Sequence, residues 1–142
     1  MSESPLHFLT ITEVAALIRD KQVSPVEVTE AMLQRIDSLD GRFQSYATVM
    51  ADQAMESARK AEIEIAAGRY LGPLHGVPFT IKDCIDTEGV RTTRGSRLFQ
   101  DRVPAADATV VSRLKKAGGI LVGKTNMPEF AFWWETDNAV FG

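Results

Sequence analysis

Apolar residues recur at helical spacing in two successive stretches near the N-terminus. Thr10-Ile11-Thr12-Glu13 has the form of a capping box, in which the hydroxyl accepts an orphan amide and the carboxylate reaches back. Val14, Leu17 and Ile18 then fall on one helical face. Ser24-Pro25-Val26-Glu27 is a second box with proline at the first helical position, and it opens a stripe of Val28, Met32, Leu33, Ile36 and Leu39. Arg35, Asp37 and Asp40 lie off that stripe, and Asp40-Gly41 predicts its end. The pair reads as a helical layer over about residues 1–45 and not as a catalytic element.

From Tyr46 the periodicity changes. Tyr46-Ala47-Thr48-Val49 predicts a short strand, and residues 51–67 a helix closed by Gly68 as a C′ glycine. Gly72, Pro73, Gly76 and Pro78 punctuate a turn-rich stretch before a strand at Phe79-Thr80-Ile81, ending in Lys82-Asp83. A long polar segment follows. Asp107 is the expected cap of a helix with Val110, Val111 and Leu114 inward, and Lys115 and Lys116 in its last turn suit the helix dipole. Gly118-Gly119 stops it, and Ile120-Leu121-Val122 predicts a buried strand. The expected fold is α/β: the N-terminal helical layer followed by β-α-β-α-β elements of a mixed, largely parallel sheet with right-handed crossovers. Residues 1–142 read as one unit, about 46–142 being the start of the α/β core, with no repeat or interdomain linker.

Composition narrows the class. The 142 residues are 44% hydrophobic and 25% charged, as in ordinary soluble globular proteins. The longest apolar run, Phe130-Ala131-Phe132-Trp133-Trp134, cannot span a bilayer. Met1-Ser2-Glu3-Ser4-Pro5 lacks the basic start of a secretory signal, and the single cysteine, Cys84, fits a reducing compartment. A cytoplasmic location is therefore expected, with no membrane partner. A net charge of −3 gives no reason to expect nucleic-acid binding.

Three motifs weaken on context. Gly118-Gly119-Ile120-Leu121-Val122-Gly123-Lys124-Thr125 fits the Walker A pattern, which needs a strand, a phosphate-cradling loop and then a helix. Here a helix precedes it and Ile-Leu-Val favours strand, so a nucleotide loop is not expected. His7 and His75 lack metal-ligand company, so no metal site is expected, and His75 reads as a hydrogen-bonding turn residue. Cys84 is either a packed thiol or, sharing a face with Lys82 if the strand continued, an activated thiolate.

The region from Leu74 onward resembles the amidase signature family. The resemblance rests on Leu74-His75-Gly76-Val77-Pro78-Phe79-Thr80-Ile81-Lys82-Asp83, Thr92-Thr93-Arg94-Gly95-Ser96, Asp107-Ala108-Thr109-Val110-Val111 and Ala117-Gly118-Gly119. It continues through Gly123-Lys124-Thr125-Asn126, Glu129-Phe130-Ala131 and Asn138-Ala139-Val140-Phe141-Gly142. These ordered motifs cover about half of the chain, and the Ser24-Pro25-Val26-Glu27 start also looks like the family. The resemblance implies an α/β enzyme that cleaves carboxamide C–N bonds with a Ser–cis-Ser–Lys triad and no cofactor. Lys82 matches its catalytic lysine. An exposed lysine keeps its proton up to a pKa of about 10.4, so a base at this position needs burial at the strand end. Read from the residues alone, Lys82 could equally pair with a carboxylate at a strand edge.

The same resemblance makes Asp83, Thr92, Thr93, Ser96, Asn126 and Glu129 supporting residues, with Thr92, Thr93 and Ser96 offering hydroxyls beside Lys82. Asp83 would point away from Lys82 and serve as a turn and hydrogen-bonding residue. Trp133 and Trp134 are either core or a substrate wall, core being the expectation for paired large aromatics. The family's two serines lie in a Gly/Ser-rich segment just after the Asn-x-x-Phe-Gly motif, where this sequence stops. The expectation is an N-terminal fragment, inactive alone, of an amidase acting on a small-molecule amide, with a homodimer a compatible assembly. The alternatives are a fragment like the A-type component of the glutamyl-tRNA amidotransferase, or a non-catalytic module that binds a partner. Pro128, where that component typically has Asp, and the aromatic run favour a stand-alone amidase.

Overall fold

The computed structural model describes residues 5–142, so the reading of residues 1–4 as lacking a leader falls outside it. Both capping boxes form. In helix α1 (Ile11–Arg19) the Glu13 amide donates to Thr10 Oγ1 at 3.3 Å, and the Thr10 amide donates to Glu13 Oε2 at 2.7 Å. In α2 (Pro25–Phe43) the Glu27 amide donates to Ser24 Oγ at 3.1 Å and the Ser24 amide to Glu27 Oε2 at 2.8 Å. Such caps contribute about 1 kcal/mol each. Helix α2 runs past Asp40-Gly41 to Phe43 and stops at Gln44 in the left-handed region. Asp40 serves the end in another way: its Oδ1 accepts from the Ser45 amide at 2.7 Å.

Strand β1 (Tyr46–Val49), helix α3 (Ala51–Ala66), strand β2 (Pro78–Lys82), helix α4 (Thr109–Lys116) and strand β3 (Ile120–Thr125) follow the predicted order. The sheet is mixed, in the order β1-β3-β2. Its β2–β3 pair is parallel, joined through α4, while β1 runs antiparallel to β3. Asp107 does not cap α4: Ala108 holds that position without a side-chain bond. The Asp107 carboxylate instead accepts from the Glu88 amide at 2.8 Å and pairs with Lys115 Nζ at 2.8 Å. Val110 is exposed and Val111 fully buried, because consecutive helical residues are about 100° apart and only one can face the sheet.

Helix α3 lies close on one face of the sheet because its inward stripe is small. Ala54 and Ala58 pack against Ile120 and Val122, with Val26, Leu33 and Ile36 of α2 behind them. Val111 of α4 packs with Ile81 and Leu121 on the other side. A third cluster, Val14, Ile18, Val28, Ile65 and Val77, ties α1 and α2 to the end of α3. Each fully buried aliphatic side chain contributes about 1.5–3 kcal/mol. No helix of the described residues is long and apolar enough to cross a membrane.

The β2–β3 ladder contains one irregularity. Phe79 pairs with Leu121 but Thr80 pairs with Gly123, so β3 carries an extra residue at Val122. A bulge reverses which side of a strand the following residues face. Lys124 therefore stands level with Ile81, and Thr125 with Lys82.

Candidate active site

Strand β2 delivers Lys82 at its C-terminal end. Its side chain is exposed, so the burial expected of a neutral base is not supplied by the described residues. The next residue turns inward. Asp83 is 1% exposed, and its amide donates to Thr125 O at 3.0 Å, extending the ladder by one bond. A tight turn follows, closed by the Ile85 amide donating to Lys82 O at 2.9 Å.

The Asp83 carboxylate organises the loop beyond. Its Oδ2 accepts from the Thr93 amide at 2.9 Å and from the Thr93 hydroxyl at 2.6 Å. Its Oδ1 has no hydrogen-bond partner and faces Lys124 Nζ at 3.4 Å. Lys124 is completely buried. Its ammonium donates to Ile85 O at 2.9 Å and to Thr92 Oγ1. Burial pushes the Lys124 pKa below the usual lysine range, and the facing Asp83 opposes that shift. Thr92 and Thr93 thus spend their hydroxyls on Lys124 and Asp83, with Thr92 also donating to Val90 O at 3.0 Å. Buried Ser96 accepts from the Leu98 amide at 3.3 Å and starts the short turn Arg97–Phe99.

Asn126 follows the end of β3 and ties it to the C-terminal residues and to the end of α2. Its Nδ2 donates to Gln44 O at 3.1 Å, and its Oδ1 accepts from Asn138 Nδ2 at 2.7 Å and the Met127 amide at 2.8 Å. Glu129 is exposed at the start of the short turn Glu129–Ala131. Trp133 and Trp134 are 65% and 93% exposed, which overturns the expectation that they are core. They follow a stretch in which Phe130 and Ala131 both adopt positive φ. Among the described residues no group of three or more His, Cys, Asp or Glu is placed to hold a metal ion.

The Amidase family model matches residues 27–142. The chain belongs to the amidase signature family. It is 49% identical over 136 residues to a glutamyl-tRNA(Gln) amidotransferase component from Moorella thermoacetica, covering 96% of this chain and 28% of that protein. It is 41% identical over 142 residues to an acylamidase from Rhodococcus erythropolis, covering all of this chain and 30% of that one. Among solved structures, a bacterial aryl acylamidase of the amidase signature family superposes with a TM-score of 0.90 at 31% identity, over 98% of this chain and 29% of that one. The chain thus spans under a third of the length of the relatives it matches.

Two residues of this amidase signature chain have roles that the motifs containing them do not reveal. Lys124 stands in a Walker-like run and in the Gly123-Lys124-Thr125-Asn126 motif, and neither marks it as the enclosed partner of Asp83. The available signal was a lysine within a strongly apolar strand, which needs a buried carboxylate opposite it. The second is Asn138, whose Oδ1 accepts from the Val140 and Phe141 amides, both at 2.9 Å, and whose Nδ2 also reaches Met127 O at 2.8 Å. His75 is the turn residue expected. Its Nδ1 accepts from the Leu71 amide at 3.1 Å, and its Nε2 lies 3.3 Å from Glu64 Oε2.

Proposed function

We propose that these residues are the base-bearing part of a serine amidase that hydrolyses carboxamide C–N bonds, with Lys82 as the proton-transferring base. The observation that carries this reading is the contrast between two lysines at the ends of parallel strands. Lys82 ends β2 with its ammonium free to reach a ligand, at the carboxyl end of the strands where open α/β sheets bind them. Lys124 on β3 is enclosed and committed to Asp83. Amide cleavage needs a group that removes a proton from a hydroxyl nucleophile and returns it to the leaving amine. A neutral Lys82 does both: its nitrogen lone pair takes the serine proton as the hydroxyl oxygen bonds to the carbonyl carbon, then delivers that proton to the departing nitrogen as the C–N bond breaks. Water then releases the acyl group from the serine.

The resemblance places the serine pair in a Gly/Ser-rich segment beyond residue 142, so we infer that residues 1–142 alone hydrolyse no amide. Segments covering Lys82 in the whole enzyme would supply the desolvation that a neutral lysine needs. The substrate is a small amide. A small or aryl acylamide fits the exposed aromatics Phe130, Phe132, Trp133 and Trp134. A cytoplasmic enzyme fits the lone Cys84, and the resemblance implies one that needs no cofactor. A second reading, the glutamyl-tRNA amidotransferase class, is supported by the 49% identical relative. Hydrolysis of an anilide by the isolated complete enzyme favours the first reading, and activity only with partner proteins the second. The base assignment is tested by Lys82→Ala and Lys82→Arg in the complete enzyme. Both should lower kcat by about 10²–10⁴-fold, since a guanidinium cannot accept the proton. Turnover close to that of the parent in either variant refutes the assignment.

A further inference from the structure

We propose that Lys124 is a positioning residue for Lys82: its buried ammonium clamps the turn that carries the base. The inference rests on the reading of Lys82 given above. The Lys82 side chain makes no hydrogen bond or ion pair among the described residues, so what these residues fix is the backbone position from which its arm reaches out. That backbone runs straight into the turn from Lys82 to Ile85, closed by one hydrogen bond at 2.9 Å.

Lys124 holds this turn at two points. It faces the Asp83 carboxylate at 3.4 Å and donates to the Ile85 carbonyl at 2.9 Å. Its third direction goes to Thr92 Oγ1 in the returning loop. Asp83 in turn fixes that loop through both the amide and the hydroxyl of Thr93, and the Arg94 amide donates to Asp83 O at 3.2 Å. The ammonium's two hydrogen bonds and its ion pair thus all fall on the one turn and the loop packed on it. The β3 bulge is what makes this reach available, because it brings Lys124 level with Ile81, immediately before the turn.

The chemistry explains why a charged clamp is retained in a dry site. A buried ion pair contributes little net stability compared with apolar residues of the same volume, but it defines one geometry. Lysine carries its proton acceptor at the end of four methylenes, so a small rotation at the turn is magnified at Nζ. A misplacement of about 1 Å at a reacting group costs about 10²-fold in rate.

The test uses the complete enzyme and three variants. Lys124→Met with Asp83→Asn removes both buried charges, keeps similar volumes and leaves Asn able to accept from Thr93. Thr92→Val removes one contact to Lys124 and leaves the ion pair, so it reports even where the double variant does not fold. Lys82→Ala is the control on the base itself. With kcat expressed per folded molecule, the double variant should lose about 10–100-fold in kcat, and Thr92→Val a few-fold, both with KM within about twofold of the parent. Parental kcat per folded molecule in Thr92→Val, or in a double variant that folds, overturns the clamp. So does a purely structural result, a lower melting temperature with kcat unchanged. Turnover by Lys82→Ala overturns the base assignment and the clamp together. An inactive Lys82→Ala beside fully active clamp variants overturns the clamp alone.

Discussion

Gly118→Ala should be among the most damaging single-methyl changes in the chain. Gly118 follows α4 with φ +87°, and an added Cβ would sit 2.4 Å from His75 Cδ2 and 2.8 Å from its Cγ. The left-handed backbone alone costs an L-residue about 1–2 kcal/mol. The imidazole cannot yield freely, because it is buried and held by the Leu71 amide on one nitrogen and Glu64 on the other. Either it stays and the contact is overpacked, or it moves and loses the Leu71 hydrogen bond and its contact with Glu64; each route adds about 1–3 kcal/mol. The expected destabilisation is therefore about 2–5 kcal/mol, a large share of the total stability of a domain. Two glycines calibrate the series. At Gly89 φ is +69° with nothing within 4 Å of an added Cβ, so alanine should cost only the backbone share, about 1–2 kcal/mol. At Gly41, inside α2 with open space around it, alanine should stabilise by about 0.5–1 kcal/mol. Urea unfolding of the three variants beside the parent, followed by far-UV circular dichroism, gives the ordering directly. A Gly118→Ala variant as stable as Gly89→Ala would refute the close packing of His75 on the α4 terminus.

Two further outcomes follow from the same geometry. Burial holds the His75 pKa below its ordinary value of 6.5, with Glu64 pulling the other way, so the folded chain binds fewer protons than the unfolded one. Its contribution is full above about pH 6.5 and is lost as pH falls through the folded value; urea midpoints between about pH 7.5 and 5 should fall less steeply in His75→Gln, and an identical slope would refute this. The 142-residue polypeptide, produced as such, should bind the dye ANS through Phe130, Phe132, Trp133 and Trp134, and aspartate at Phe132 and Trp134 should reduce the signal; no dye binding by the parent polypeptide would count against an accessible aromatic surface.

Local signals in the sequence proved sufficient where one residue type meets one physical need. Thr10 with Glu13, and Ser24 with Glu27, fix helix starts because the bonding groups lie within four residues of one another. Tyr46–Val49 is a strand as patterned, and α3 ends one residue before the expected limit, with Gly68 at positive φ. The errors arise where a distant partner competes for a side chain. Asp107 has the composition of an N-cap but is taken by Glu88 and Lys115. Asp40 precedes a glycine and looks like a stop, yet α2 continues through Gly41 until Gln44 turns left-handed. Trp133 and Trp134 have the hydrophobicity of core residues, but nothing among the described residues covers them. At the site, the sequence marks Lys82 through its motif, whereas the pairing of Asp83 with Lys124 spans 41 positions and depends on a bulge that no periodicity reveals.

The Walker-like run shows how one string of letters can satisfy several unrelated demands. Gly118 is required by the left-handed turn that ends α4 against His75, not by a phosphate. Ile120, Leu121 and Val122 are buried strand residues facing the two helical layers. Gly123 admits β1: an added Cβ would lie 2.7 Å from Thr48 O and 2.9 Å from the Tyr46 ring. Lys124 would bind a phosphate from a flexible loop, but here it sits in strand β3 with no exposed surface, donating to Ile85 and Thr92 and facing Asp83. A phosphate could reach it only by displacing a buried carboxylate and opening the Lys82–Ile85 turn. The same run instead sets the close packing of β1 and α4 and the geometry of the turn after β2. Substitution at Lys124 should therefore be felt at Lys82, on the neighbouring strand, and not in any nucleotide affinity.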